Sequence, residues 1–129
     1  MASKMIHNIV SQLNPQVIIC DEAHYLKNQE AKRTLALLPF LRNRKRVILL
    51  TGTPAFAKPK EIYTLCHAIR PDLFEQFREF GNRYCDPQPS LFYKGISYEG
   101  ASNTKELHHL LTKYIMIRRY KNKNQYNFF

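Results

Sequence analysis

Val17-Ile18-Ile19-Cys20-Asp21-Glu22-Ala23-His24 is a short apolar run that stops at two adjacent carboxylates. The absence of alternation within Val17–Cys20 predicts a strand buried on both faces, as in a parallel sheet covered by helices. Folds of that kind place their ligands in the loops at the carboxyl ends of the strands. Asp21 and Glu22 therefore emerge at the chemically useful end. Two acids there suit a metal–nucleotide site, one to hold Mg²⁺ through its water shell and the other to orient an attacking water.

A second stretch repeats the design. Arg46-Val47-Ile48-Leu49-Leu50 predicts another buried strand, and it runs into Thr51-Gly52-Thr53-Pro54, a tight turn with hydroxyls free to bond a neighbouring loop. Between the two strands a helix is expected over roughly 29–41, with Ala31, Leu35 and Leu38 facing inward. Ahead of them, Met5, Ile6, Ile9, Val10 and Leu13 form one stripe of a helix over 3–13. Ser3 stands at its N-cap and Asn14-Pro15 at its end. The order helix, strand, helix, strand is the grammar of a βαβ unit and a parallel sheet. The link Arg42-Asn43-Arg44-Lys45-Arg46 is either a solvated loop or a phosphate contact.

Beyond TGTP, Pro59 is placed to open a helix reaching about Ala68, with Ile62, Leu65, Cys66 and Ile69 as core. Pro71 ends it. Asp72 and Glu75 have the spacing of a capping box for a helix running to Tyr84, whose apolar face is aromatic: Phe74, Phe77, Phe80 and Tyr84, with Leu73. That stripe is read as packing rather than as a base-stacking platform. Residues 86–102, with Pro87, Pro89, Gly95 and Gly100, predict a loop or irregular hairpin. Asn103 and Glu106 are expected to cap a last helix carrying Leu107, Leu110, Leu111, Tyr114 and Ile115 on one side, with His108 and His109 towards solvent. Met116-Ile117-Arg118-Arg119 predicts a short strand, and 122–129 a disordered tail.

The 129 residues suit one α/β domain near the lower size for a nucleotide-binding fold. A hydrophobic share of 44% with eight Phe and eight Tyr argues against disorder. No apolar run approaches the ~20 residues of a membrane span, and no leader pattern is present, so no membrane partner is expected. Three cysteines at wide spacing, Cys20, Cys66 and Cys85, are read as reduced core thiols of a nuclear or cytosolic protein. Cys66-His67 has no second ligand pair at suitable spacing, so no zinc site is expected. A formal net charge of +10 points to a polyanionic partner or to a solvated basic surface.

DEAH at one strand end and LLTGTP at the next, with a helix between, resemble motifs II and III of superfamily-two helicases. The resemblance extends to the SWI/SNF-type DNA-dependent ATPases through VIICDEAHYLKN, RVILLTGTPA, EIYTLCHAIRPDLFEQFREFGNRYCD and GASNTKELHHLLTKYIMIRRYK, from about Val17 to Lys121. Ala55-Phe56-Ala57-Lys58-Pro59 after TGTP, with FGNRYCD and the Gly-Ala-Ser-Asn segment, is similar to the annealing-helicase branch, SMARCAL-like and ZRANB-like. That resemblance implies a partial RecA-like lobe of the P-loop NTPase class, with parallel strands, flanking helices and a helical extension. Residues 1–71 would be the second half of the ATP-binding lobe and 72–121 the extension. It implies ATP and Mg²⁺ as cofactors, Asp21 as the metal ligand through water, and Glu22 as the residue activating water. His24 would sense the nucleotide, and Thr51, Gly52 and Thr53 would couple it to DNA. Arg44, Lys45, Lys58, Arg118 and Arg119 are candidate DNA or interlobe contacts. The implied partners are DNA, forked or at single/double-strand junctions, and the remaining lobes of the parent motor, in the nucleus.

The sequence contains no GxxxxGK followed by Ser or Thr, the loop whose amides and lysine hold β- and γ-phosphates. The chain is expected to begin just before motif II and end just after the first lobe, to bind Mg-ATP poorly alone, and to leave a strand edge unpaired. Two other readings stand beside the motor segment: a non-catalytic DNA- or protein-binding fragment, and a piece of a nucleosome remodeller.

Overall fold

The computed structural model describes residues 8–9, 11–42, 44–52 and 58–118. Residues 8–9 and 11–13 are helical, in keeping with the apolar stripe; the rest of that expected helix lies outside the described residues. There follow β1 (Val17–Cys20), a single 3-10 turn (Ala23–Leu26), α1 (Lys32–Arg42), β2 (Arg46–Leu49) and α2 (Pro59–Ile69). The second half of the chain holds α3 (Phe77–Tyr84), β3 (Gln88–Pro89), β4 (Ile96–Ser97) and α4 (Thr104–Tyr114).

β1 and β2, each rich in β-branched residues, pair in parallel, Val17 with Arg46 through Cys20 with Leu49. Two backbone bonds extend the ladder, from Arg46 N–H to the Gln16 carbonyl (3.1 Å) and from Leu50 N–H to the Cys20 carbonyl (2.8 Å). Parallel strands need a crossover, and α1 supplies it. The expectation of strands buried on both faces is corrected. Ile18, Cys20, Val47 and Leu49 lie against the core, whereas Val17, Ile19, Ile48 and Leu50 are 45%, 62%, 45% and 48% exposed. Among the described residues, helices cover only one face of the pair. The expected open edge is present, since this sheet has two strands among the described residues.

α1 starts later than expected because Asn28 builds a turn ahead of it, its side-chain oxygen accepting the Glu30 N–H at 2.9 Å. Leu38 faces inward as expected, but Leu35 is 58% exposed. Thr34, Phe40 and Leu41 occupy the inner face instead, set by a helix phase that Pro39 inside α1 does not break.

α2 is the central element. All residues from Ile62 to Ala68 are buried. Leu65 and Ala68 join Ala23, Leu26, Leu38 and Leu41 under the parallel pair. Ile62, Tyr63 and Cys66 join Phe74, Phe80, Tyr84, Cys85, Leu107 and Leu111 in a second cluster. A helix buried on two sides gains roughly 1.5–3 kcal/mol from each large apolar side chain removed from water. Its polar members are satisfied: Thr64 Oγ1 donates to the Lys27 carbonyl (3.3 Å), and the His67 ring N–H donates to the Phe74 carbonyl (2.6 Å). Burial pushes the Cys66 thiol up to about 12 and the Cys85 thiol up to about 11, as expected of reduced core cysteines.

The aromatic stripe of α3 packs as read. Phe80 lies 5.2 Å from Tyr63, 5.8 Å from Phe74 and 5.0 Å from Tyr84, centroid to centroid. Gly81 is required by close approach, since a Cβ there would stand 2.7 Å from the Tyr98 ring. The Asp72/Glu75 capping box does not form. Asp72 is drawn back to Arg70 by a two-pronged bond (2.8 and 2.6 Å), and α3 begins at Phe77 with Gln76 as an uncapped N-cap. Asn103 likewise precedes α4 without a side-chain cap; its amide donates to the Arg83 carbonyl (2.8 Å). Residues 116–118 are not a strand, because no described strand lies beside them to pair with. Arg119 and the expected tail lie outside the described residues.

Glu106 bridges α4 to α3, receiving Arg83 Nε (2.7 Å), Arg83 Nη2 (2.5 Å) and the Tyr84 hydroxyl (2.7 Å). Arg83 first and Tyr84 second hold its carboxyl down at about 2, against an ordinary 4.5. A depressed carboxylate stabilises the fold above its unfolded value and loses that contribution as the pH falls through its folded value. Glu106→Gln should therefore lower the urea midpoint at pH 7, and the difference from wild type should shrink between pH 4.5 and about 2. A constant difference down to that pH would contradict the assignment. The open apolar face makes a second expectation: the 129-residue chain self-associates in sedimentation experiments, and Ile19→Lys with Ile48→Lys shifts it towards monomer.

Candidate nucleotide and coupling site

The parallel register puts the carboxyl ends of β1 and β2 side by side. Asp21-Glu22 leaves one and Thr51-Gly52 the other, and two kinds of contact join the turns. The Ala23 N–H donates to the Leu50 carbonyl at 2.8 Å. His24 Nδ1 lies 3.3 Å from Thr51 Oγ1 and 3.1 Å from Glu22 Oε2. The imidazole thus sits between the second acid of DEAH and the first threonine of TGTP. Its ring also rests against Tyr25, with centroids 4.4 Å apart.

The acids are held in an unusual backbone. Glu22 has φ 50° and ψ 42°, the left-handed region, where glutamate is uncommon. Among the described residues the other non-glycine positions with positive φ are Asn14, Asp86 and Asn103, types that tolerate it. Asp21 supports the turn by accepting the Glu22 N–H on Oδ1 at 2.8 Å. Ala23 and Leu26, buried behind the turn, anchor it to the core. Both carboxylates remain exposed at the surface. Strain of this kind costs of order 1–3 kcal/mol and persists where the surroundings impose it.

An all-oxygen donor set in solvent suits a hard cation such as Mg²⁺, which keeps most of its water and takes one or two protein carboxylates. Among the described residues no group of three or more His, Cys, Asp or Glu side chains converges on a point. A cation at Asp21 would therefore have few protein ligands. The residues fit the metal; the phosphate-holding loop that a triphosphate also needs is not in the sequence.

The remaining candidates fall elsewhere. Gly52 is exposed, and a Cβ there would meet nothing within 4 Å among the described residues. Thr53 and Arg119 lie outside the described residues. Arg44 and Lys45 precede β2, at the opposite end of a four-residue strand from Asp21, about 13 Å away at ~3.3 Å per residue. Arg44 binds Asn14 Oδ1 (2.5 Å) and the Pro15 carbonyl (3.3 Å), whereas Lys45 is exposed. Lys58, before α2, pairs with Glu99 at 2.5 Å, and Lys60 pairs with the same carboxylate. Those two ammonium groups hold Glu99 below the usual carboxylate range. Arg118 is exposed beyond α4.

Sequence reading missed the links from this site into α2. Lys27 Nζ meets Glu61 Oε1 at 3.0 Å, and the Lys27 carbonyl receives Thr64. No local spacing signals a contact between residues 34 and 37 positions apart.

A parallel β-turn-helix-β unit with an acid pair at one strand end and a threonine-glycine turn at the next is part of a RecA-like lobe of a P-loop NTPase. Residues 3–128 match the SNF2-related domain, and the chain belongs to that family. It is 49% identical over 108 residues to the Xenopus tropicalis SWI/SNF-related matrix-associated actin-dependent regulator of chromatin subfamily A-like protein 1, covering 84% of this chain and 11% of that protein. It is 40% identical over 121 residues to the human DNA annealing helicase and endonuclease ZRANB3, covering 92% and 11%. The Caenorhabditis elegans homolog of the first is 38% identical over 115 residues, 89% and 16%. The chain thus spans about a tenth to a sixth of the length of these relatives.

The bridge at His24 makes a measurable expectation. His24→Ala and Thr51→Ala should be non-additive in urea unfolding, with a coupling of about 0.5–1 kcal/mol, the range of a partly exposed hydrogen bond. Strict additivity would show that the two turns are joined by the Ala23 backbone bond alone.

Proposed function

We propose that this segment serves an ATP-dependent DNA translocase of the annealing-helicase kind, one that rewinds DNA at replication forks in the nucleus. The observation that carries the proposal is the junction of the acid-pair turn with the threonine turn through His24. In this reading 1–71 is the second half of the ATP-binding lobe and 72–121 its helical extension. The names of the relatives, an annealing helicase and regulators of chromatin, support DNA as the partner.

Mg-ATP, when bound, would supply the phosphoryl bond whose hydrolysis drives the cycle. Asp21 would hold the metal. Glu22, one residue on and turned by its left-handed backbone, orients the attacking water and takes up its proton. His24 lies between Glu22 and Thr51 and registers whether that carboxylate is engaged. Thr51, with Gly52 and Thr53, passes the change along the turn towards α2, to which Lys27 is already tied through Glu61 and Thr64. Lys45, Lys58, Arg118 and Arg119 are the candidate contacts to DNA or to the second lobe; Arg44 is better read as bracing the turn before β1.

The net charge of +10 also fits a second reading, a non-catalytic DNA- or protein-binding unit. Glu22→Gln separates the two. In a motor, ATP turnover stimulated by forked DNA falls by at least 100-fold in the variant, while DNA affinity is kept. DNA affinity indifferent to nucleotide and to Glu22→Gln, with no turnover to lose, would establish the non-catalytic unit. Equal stimulation by nucleosomes and forks would shift the substrate to chromatin.

A further inference from the structure

Leu91 and Phe92 are 94% and 95% exposed, more than any other large apolar residue among those described. They sit at the tip of the β3–β4 hairpin, and the tip is built rather than slack. The Ser90 N–H donates to the Gly95 carbonyl at 2.9 Å and closes the loop. Ser90 Oγ accepts the N–H groups of Phe92 (3.2 Å) and Tyr93 (3.3 Å). Tyr93 folds back, its hydroxyl donating to the Ile96 carbonyl (3.1 Å) and its ring lying where a Cβ on Gly95 would meet it at 3.3 Å. That leaves Leu91 and Phe92 projecting, with Lys94 beside them.

The base of the hairpin is equally fixed. Tyr98 packs on Phe77 (5.2 Å between centroids) and its hydroxyl donates to Asn82 (3.1 Å). Glu99 holds Lys58 and Lys60, directly after the turn that follows β2. A protein-docking surface needs several hundred Å² of contiguous apolar area. Here two side chains project, followed by a lysine, on a chain of net charge +10. That geometry suits insertion between bases: Phe and Leu are among the side chains that wedge into a base step, and a cation beside them meets the phosphates.

We propose that the hairpin tip, Leu91-Phe92-Tyr93-Lys94, is a nucleic-acid wedge that inserts Phe92 and Leu91 between bases unstacked at a single-strand/double-strand junction while Lys94 meets the backbone. The inference rests on the DNA reading above and adds a residue-level contact to it. Through Glu99 and Lys58 the wedge is attached to the segment following the threonine turn.

The test uses the 129-residue chain and a synthetic fork carrying 2-aminopurine at the junction, with intact duplex as reference. Wild type should unstack the probe and bind the fork more tightly than duplex. Phe92→Ala should lose the probe signal and about 10-fold in fork affinity, within the range expected for one stacked base. Phe92→Trp should retain both, and Leu35→Ala, exposed on α1, should change neither. Lys94→Gln should reduce the slope of log affinity against log salt by about 1. Fork binding and probe signal unchanged in Phe92→Ala and Leu91→Ala would overturn the wedge and leave the DNA reading standing. Failure to bind any DNA would overturn both. Self-association that Phe92→Ala abolishes without altering fork binding would assign the tip to a protein contact instead.

Discussion

The parallel pairing of β1 with β2 is the constraint on which the rest depends. Antiparallel strands would send Asp21 and Thr51 to opposite edges. Parallel ones, joined by the α1 crossover, bring both strand ends to one edge in a fixed register. A slip of one residue would turn Ile18, Cys20, Val47 and Leu49 out of the core. The register that fills the core is therefore the register that sets His24 against Thr51. Packing and site geometry are one choice here.

α2 extends that constraint into the second half of the chain. Buried on both sides, it gives Leu65 and Ala68 to the core under the sheet and Ile62, Tyr63 and Cys66 to the aromatic core. Lys27 ties its first turns to the acid-pair loop, and Lys58 and Lys60 tie its start to Glu99. These surface ion pairs contribute little to stability one by one. Their consequence is geometric, since they fix the acid-pair loop and the hairpin base against the same helix. The open face of the parallel pair has the opposite character: four large apolar side chains, Val17, Ile19, Ile48 and Leu50, are exposed there among the described residues.

What was legible in the sequence is local. The apolar runs, the acid pair, Pro59 at a helix start and the aromatic spacing of α3 each carry their cause within a few residues. What was misread depended on competing or missing partners. The Asp72/Glu75 spacing fits a cap, but Arg70 competes for the same carboxylate and binds it at both oxygens. Leu35 fits the apolar stripe of α1, but Leu38 and Leu41 pack under the sheet and Thr34 is buried in its place. Met116–Arg118 has strand composition and no strand beside it.

By itself the sequence determined the type of each long element, the parallel βαβ order and which residue types stand at the two strand ends. Those follow from side-chain period, backbone propensity and the residue types that can hold a metal. Only the tertiary structure decided which face of each strand is covered, which lysines are already paired, that His24 spans Glu22 and Thr51, and that Phe92 stands free at a hairpin tip. Each of these is a contact, or the lack of one, between residues far apart in the chain. Its free energy depends on how several elements pack at once, which no local pattern records.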